Sequence, residues 1–508
     1  MRALGVAAAI AAAGSIVLGA GAANRVGTQR ADVLRGTQRA DTIRALAGGD
    51  FVDGRAGRDR IDAGTGDDRV KAQDHAADTV ACGLGADVVT ADAADLVAAD
   101  CELVSRRISR DRFRRSVAGQ HETQVEPHSA AFGATIVATF QVGRIADGGA
   151  AALGWATSTD GGATWRSGLV PGLTRATRPA GLAARASDPV VAYDAVHGTW
   201  LIASLVLGGD GSSALGISRS PDGVAWGPPA VAASSSRFAF DKEWLACDNW
   251  PESRFRGRCY LAYTAVEGED GPLRLLVSSD GGLTWSEPVS LGADGSGALP
   301  LVLPSGDLVV GYLGAQIRAV VSHDGGATFT DAARVGPARY DPSPLLRSPQ
   351  LPTGAVGGDG TAYLAWHACT GVCNAADVML TRSRDGLDWS PATRVPTGAR
   401  GPRYVLPALA ADATGDDLAL TFHRLRGRQL DVLFSSSPDG GATWARPRRL
   451  NAERMSVSWI AETTAGPMVG DYLGTTLAGG VAVPVYALGA RPGPRFDQSI
   501  FAARIPVS

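Results

Sequence analysis

Lysine is almost missing from this chain: of 48 basic residues only Lys71 and Lys242 are lysines, and all others are arginine. Nearly every fixed cation is therefore a planar fork suited to carboxylates rather than a mobile ammonium. Charge is scarce altogether, at 19% of 508 residues, and the net charge of -3 gives no global attraction to a phosphate backbone. Nucleic acid is thus excluded as an expected partner. The 45% hydrophobic content is too high for a disordered chain. Beyond the N terminus no run reaches the ~18 apolar residues that a membrane span needs. The seven histidines show no metal-ligand spacing, and G-x-S-x-G, H-E-x-x-H and P-loop words are missing. Those gaps remove the commonest serine-hydrolase, zincin and nucleotide-binding readings. Glycine, by contrast, is abundant: 65 residues, about 13% of the chain against a usual ~7%. Low charge and high glycine predict turn-rich, all-β structure, and the length allows two or three domains.

Residues 1–23 place Arg2 before an uncharged Ala-rich run and then small residues, the layout of a secretory signal peptide cleaved near Ala22 or Ala23. A secreted, extracellular protein with no membrane span after cleavage is expected, and it is expected to be a monomer. The six cysteines fall into neighbouring pairs, Cys82 with Cys101, Cys247 with Cys259, and Cys369 with Cys373. In an exported chain they read as three disulfides, although proximity alone suggests this pairing and other connectivities stay open.

Aspartates recur at Asp32, Asp41, Asp50, Asp59 and Asp68 with a spacing of nine, then at Asp78 and Asp87. Two positions after each stands an aliphatic residue: Leu34, Ile43, Val52, Ile61, Val70, Val80 and Val89. One aspartate and one buried aliphatic per turn predicts a stacked parallel β-roll over residues 24–102. The words around Gly57, Asp59 and Ile61, and around Gly66, Asp68 and Val70, resemble the nonapeptide calcium-binding repeats of RTX proteins. That resemblance implies Ca²⁺ held by turn carbonyls and carboxylates, with Asp41, Asp50, Gly57, Asp59, Gly66 and Asp68 as the candidate metal-site residues. Arg30 and Arg39 stand where turn glycines belong, so the first coils are expected to be stacked without an ion. A solvated acidic repeat without metal is the alternative.

A basic stretch over residues 103–120, RRISRDRFRRSVAG at its heart, reads as a surface linker or bracing strand, or as a polyanion-binding patch. From His121 to the end a different repeat dominates. Ser158 to Trp165 spells S-x-D-x-G-x-T-W; the word returns at Ser278 to Trp285 and Ser437 to Trp444, with Phe329 closing the copy from Ser322. Shortened copies run from Ser220 to Trp226 and from Ser383 to Trp389. Each sits between strand-like runs and predicts a hairpin turn whose Ser and Asp side chains bind turn amides. Hairpin units that cannot bury their own apolar faces imply radial stacking as propeller blades. These words resemble the Asp boxes of the sialidase superfamily, over about three quarters of the chain. Asp160, Asp222, Asp280, Asp324, Asp385 and Asp439 are then structural residues on the rim. Candidate inner strands number one more than the boxes, so a six- or seven-bladed sialidase-like β-propeller is expected over residues 121–508.

Polar residues at the starts of inner strands are the first place to seek chemistry. Asp188, Asp241, Glu243 and Tyr472 are the candidate catalytic residues, with Glu126, Lys242, Gln350 and Asp471 nearby in the same pattern. Carboxylates beside a lysine and aromatic rings can be driven to unlike pKa values; strand capping between blades is the bland alternative. The resemblance implies a glycoside hydrolase with three arginines on the substrate carboxylate, an Asp as acid and base, and a Tyr nucleophile activated by Glu. Tyr472 and Glu243 suit the last two roles by position. Arg144, Arg254, Arg403 and Arg424 are available without a spacing that selects a triad, and Arg504-Ile505-Pro506 lies at the wrong end for the family's early Arg-Ile-Pro word. The expected function is recognition, with hydrolysis open, of an extracellular glycan or glycoconjugate. A non-catalytic propeller that binds glycan or protein is the alternative.

Overall fold

The computed structural model describes residues 22–113, 117–266, 271–339, 345–370, 373, 375–413 and 416–507. The expected export signal lies outside these residues except for its last two positions. Among the described residues the regular elements are strands, apart from one 3-10 turn at Val457–Trp459.

Nine short strands open the fold: β1 (Asn24–Val26), β2 (Val33–Arg35), β3 (Thr42–Arg44), β4 (Phe51–Asp53), β5 (Arg60–Asp62), β6 (Arg69–Lys71), β7 (Thr79–Ala81), β8 (Val88–Ala91) and β9 (Leu96–Val97). The odd strands form one parallel sheet, and the even ones another. Ile43 therefore pairs with Ile61 and Val52 with Val70, so each coil consumes two nonapeptides. This corrects the reading of one aspartate and one aliphatic per turn: the nine-residue period is half a coil. The middle residue of each of β3 to β7 points inward, and Ile43, Val52, Ile61, Val70 and Val80 are buried with Val89 of β8 in a narrow core. Cys82 and Cys101 are bonded across its closing end.

Of the basic stretch after the roll, Leu103–Arg107 forms β10. It pairs parallel with β8 and antiparallel with Gln498–Ala503 near the C terminus. One sheet thus runs without a break from the roll into the last meander of the chain. Its alternation is regular, with Leu103, Ser105 and Arg107 buried.

Successive antiparallel meanders follow. The first comprises Gln120–Phe132, Thr135–Arg144, Ala150–Ser158 and Arg166–Leu169. The next begins with Arg185–Asp194 and the third with Ala239–Cys247. Val289–Val302 is shared: its first half closes the third meander and its second half opens the fourth. Thr353–Val356 and Arg403–Ala411 open two more, and the last runs Gly474–Ala478, Val481–Gly489, Gln498–Ala503 with β10 as its outer strand. A single apolar cluster joins Ile136 and Phe140 of the first meander, Val483 and Phe501 of the last, and Phe434 of the one before it. The first and last meanders are therefore neighbours in space. Disulfides Cys247–Cys259 and Cys369–Cys373 tie strands locally.

Candidate functional site

Five inner strands share one irregularity. Register breaks lie between Val125 and His128, Ser187 and Val190, Asp241 and Trp244, Ser296 and Leu299, and Val405 and Ala408. At each break one residue is left-handed: Glu126 (φ 53°), Asp188 (49°), Lys242 (53°), Gly297 (65°) and Leu406 (53°). A non-glycine residue held there costs about 1–3 kcal/mol and persists only when its surroundings fix it. A bulge re-aims a side chain, and three of these five residues are ionisable.

Glu126, Asp188 and Lys242 converge with Asp471. Lys242 Nζ lies 2.7 Å from Asp471 Oδ2, 3.0 Å from Asp188 Oδ2 and 4.0 Å from Asp241 Oδ1. Arg347 completes the group as a fork on Asp471, Nε at 2.7 Å from Oδ1 and Nη2 at 2.5 Å from Oδ2. Ser187 Oγ donates to Asp188 Oδ1 at 2.5 Å, and Gln141 Nε2 donates to Glu126 and to Ser187. Arg144 holds Gln141 in place through Oε1 at 3.2 Å. Arg347 and Gln141 were missed in the sequence; Arg347 sits in irregular chain before an inner strand, and no motif marks it.

Burial decides the charge state of this cluster. It would raise Asp471, but Lys242 and Arg347 outweigh it and hold that carboxyl far below the usual range. Asp188 is likewise lowered, its burial overcome by Lys242 and Ser187. Glu126 has no such partner: burial and then the Asp188 charge raise it to about 8. Burial pushes Glu243 well up also, and neither of its carboxyl oxygens meets a hydrogen-bond partner. Two anions therefore face two cations, with two protonated acids beside them. Asp241 stands at the rim, its side chain 43% exposed, and enclosure against the pull of Lys242 raises it to about 6.

Tyr472 is buried and donates to the Pro189 carbonyl at 3.2 Å, while its ring packs edge-on to Trp244, which in turn meets His128. Burial raises the phenol well above its ordinary value. The four arginines available for a triad are dispersed. Arg144 is buried and donates to Gln141 and to the Gly149 carbonyl, Arg254 is exposed near Asp307, Arg403 donates to the Cys373 carbonyl and Arg424 pairs with Asp431. The S-x-D-x-G-x-T-W turns lie at the opposite face, where inner strands end. Ser158 Oγ donates to Asp160 at 2.7 Å, and Asp160 accepts from the Thr164 amide and hydroxyl at 2.8 and 2.6 Å. Asp222, Asp280, Asp324, Asp385 and Asp439 serve their own turns in the same way.

A second concentration of carboxylates lines the roll. Each aspartate accepts the amide of the aspartate one coil earlier: Asp41 to Asp59, Asp50 to Asp68, Asp59 to Asp78 and Asp68 to Asp87, at 2.7 to 2.8 Å. One oxygen is thereby fixed. The other, Oδ2 of Asp50, Asp59, Asp68, Asp78 and Asp87, is buried without a partner. Asp41 differs, because Thr37 occupies both its oxygens. Burial and then neighbouring carboxylates raise Asp59 and Asp68 to about 6 and Asp78 to about 7, the expected response of stacked acids with no counter-charge. The turn glycines lie against carbonyls: a Cβ on Gly66 (φ 125°) would fall 2.0 Å from the Gly48 oxygen, and one on Gly57 2.6 Å from the Arg39 oxygen. No cluster of three His, Cys, Asp or Glu side chains able to hold a metal occurs among the described residues. A cation in the roll would instead combine lone carboxylate oxygens with backbone carbonyls, the donor set of Ca²⁺.

Comparison with known families points the same way for this part. The family model of the RTX calcium-binding nonapeptide repeat matches residues 26–61 and 35–70. The N-terminal coils carry RTX repeats. No curated protein matches the chain in sequence. Similar solved structures include a protein of unknown function from Dyadobacter fermentans, 17% identical over 77% of this chain and 97% of that one, with a TM-score of 0.43. An α-L-arabinofuranosidase from Fusarium graminearum is 12% identical over 80% and 97%, with a TM-score of 0.43. A Trypanosoma rangeli sialidase is 13% identical over 64% of this chain and 58% of its own, with a TM-score of 0.44. The buried, unpartnered Oδ2 atoms continue past the matched residues to Asp78 and Asp87.

Proposed function

We propose that this is an exported glycan-binding protein: an RTX roll stabilised by Ca²⁺ joined to a seven-bladed propeller whose central face, at Asp241 and Arg347, holds an extracellular glycan without hydrolysing it. The blade number follows from counting β10 as the outer strand of the last blade. The observation that carries the binding reading is the closed charge set: Lys242 is divided between Asp188 and Asp471, and Arg347 is clamped to Asp471. The cations that would grip a substrate carboxylate are already bound within the protein. Tyr472, moreover, donates to a backbone carbonyl rather than to Glu243.

In the RTX repeats, Asp50, Asp59, Asp68, Asp78 and Asp87 would hold Ca²⁺ through Oδ2, with Gly57 and Gly66 keeping the turn carbonyls accessible. Asp41 would be a structural residue.

The second reading, a sialidase-like glycoside hydrolase using Asp241, Glu243, Asp188 and Tyr472, rests on the raised acids Glu126 and Asp241 beside the lowered Asp188. Unlike pKa values among neighbouring carboxyls suit acid–base work. The deciding experiment is a glycan-array screen of the mature protein with Ca²⁺, run beside hydrolysis of a fluorogenic sialoside. Glycan capture that Asp241→Asn weakens, with no turnover, is expected. Turnover abolished by Tyr472→Phe would replace binding with catalysis.

A further inference from the structure

We propose that the cleft between the roll and the first propeller meander is a second binding site, for an acidic saccharide bearing carboxylate or sulfate groups. It goes beyond the proposed glycan face at Asp241 and Arg347 and shares no residue with it. The cleft is a cavity of about 490 Å³ bounded by His75 of the roll, Arg107, Arg110 and Arg112 of the connecting segment, and Trp165 and Arg166 of the first meander. That is the size range of small-molecule sites, ~300–1,000 Å³.

Its charge is one-sided. The single carboxylate in the wall, Asp92, is taken by the buried Arg107, whose Nε lies 2.7 Å from Oδ1. Arg110, Arg112 and Arg166 are exposed, and among the described residues none of their guanidinium groups has an ion-pair or hydrogen-bond partner. Three forks without a carboxylate partner thus border one cavity. A guanidinium binds carboxylate or sulfate oxygens in pairs. Trp165, its Nε1 fixed on the Gly162 carbonyl at 3.1 Å, adds an apolar wall. An aromatic face beside guanidinium groups suits a ring that is apolar on its faces and anionic at its edge. A nucleic acid is the poorer match, since the whole chain carries a net charge of -3.

The site is tested on the full mature protein with Ca²⁺ by calorimetric titration in about 0.1 M salt, where screening extends over ~10 Å. Heparin hexasaccharide supplies sulfate, oligogalacturonate supplies carboxylate alone, and maltohexaose is neutral. Binding of at least one acidic oligosaccharide and none of the neutral one is expected. The variant combining Arg110→Ala, Arg112→Ala and Arg166→Ala should lose at least about tenfold in affinity. A control combining Arg237→Ala, Arg400→Ala and Arg446→Ala removes the same charge from exposed positions elsewhere and should bind within about twofold of native. Equal loss in the control, unchanged binding in the cleft variant, or no acidic ligand at all would overturn the proposal. So would tripolyphosphate binding as tightly as the saccharides, which would reduce the cleft to a general anion site. Should the triple variant melt lower than native, Arg166→Ala alone carries the test, with a loss of affinity expected and none overturning the site.

Discussion

Lys242 Nζ meets Asp471 Oδ2 at 2.7 Å across 229 residues of chain, and the same ammonium reaches Asp188 at 3.0 Å. One of only two lysines in the protein thus bridges two buried carboxylates from distant parts of the chain, with Arg347 supplying the second positive charge. Removing one partner of a buried pair leaves an uncompensated charge, at a cost of about 3–5 kcal/mol. Lys242→Met should therefore lower stability by that order in urea unfolding, and adding Asp188→Asn and Asp471→Asn should recover a large part of it. A Lys242→Met protein as stable as native would mean that the cluster contributes no net stability.

Glu126 gives this cluster a pH dependence of opposite sign to that of Asp471. Its carboxyl rises from an ordinary 4.5 to about 8 in the folded chain. Between those values the folded state binds the extra proton, so the contribution is present at low pH and is lost as pH rises toward 8. Glu126→Gln removes the titration. Native stability should fall relative to this variant across that window, by an amount on the order of 1 kcal/mol or more. A difference between the two urea midpoints that stays constant from about pH 4.5 to 8.5 would contradict the assignment. Asp471, held low, acts only in acid, where its stabilisation is lost as the pH falls through its depressed pKa.

Periodic features were readable in the sequence, and closures were not. The nine-residue spacing marks the buried aliphatics because each short strand has one inward position. It cannot reveal that two repeats make a coil, since either winding gives the same pattern. The Ser and Asp of each box turn bond within a few residues, so their role is local and visible. By contrast, the pairing of Ser105 with Ala503 joins opposite ends of the chain, and no local signal announces it. The extra inner-strand segment was the only hint that a last unit needed a strand from elsewhere. Lys242 and Asp471 could be nominated from strand starts, whereas Arg347 reaches the cluster from irregular chain and left no pattern.

The proposed Ca²⁺ sites at the orphaned Oδ2 atoms predict that roll stability depends on the ion. An ion that binds only the folded state stabilises it by about 2.7 kcal/mol at a hundredfold excess over its dissociation constant. Chelation should lower the melting temperature of the native protein and expose the amides of β5 to β8 to hydrogen exchange. Mg²⁺, which demands a tighter octahedral shell, should restore little. Asp68→Asn should weaken the response and Asp41→Asn should spare it. A melt insensitive to chelation would remove Ca²⁺ from the account.

Gly66 tests the geometry of the same turns without reference to any ion. Its φ of 125° is closed to most side chains, and a Cβ there would sit 2.0 Å from the Gly48 oxygen, a backbone atom that cannot swing away. Gly66→Ala should cost about 2 kcal/mol or more. Gly161, at φ 68° with nothing within 4 Å of an added Cβ, is the control. Its Ala variant should lose only the cost of the left-handed backbone, about 1 kcal/mol. Equal losses at both sites would show that stacking over the carbonyl is not what selects Gly66.

Arg107 should couple the unfolding of the roll to that of the meanders. It is buried in β10, the strand shared by both, with Nε 2.7 Å from Asp92 of the roll and Nη2 3.4 Å from Asp497, just before the last meander's Gln498–Ala503 strand. Lys71 adds a second bridge to Glu453 at 2.7 Å, and the Ala452 amide donates to Thr90 Oγ1 at 3.0 Å. Replacing Arg107 by leucine keeps much of its packing but strands the Asp92 carboxylate, at about 3–5 kcal/mol. Because β10 supplies the outer strand of the last meander, that loss falls on the junction rather than on either core. Calorimetry of native protein with Ca²⁺ should show one cooperative transition, and Arg107→Leu should split it, the roll melting first. Two transitions already present in the native protein would mean that the continuous sheet does not couple the two parts; a single transition in the variant would place the coupling in the backbone pairing of β10 alone.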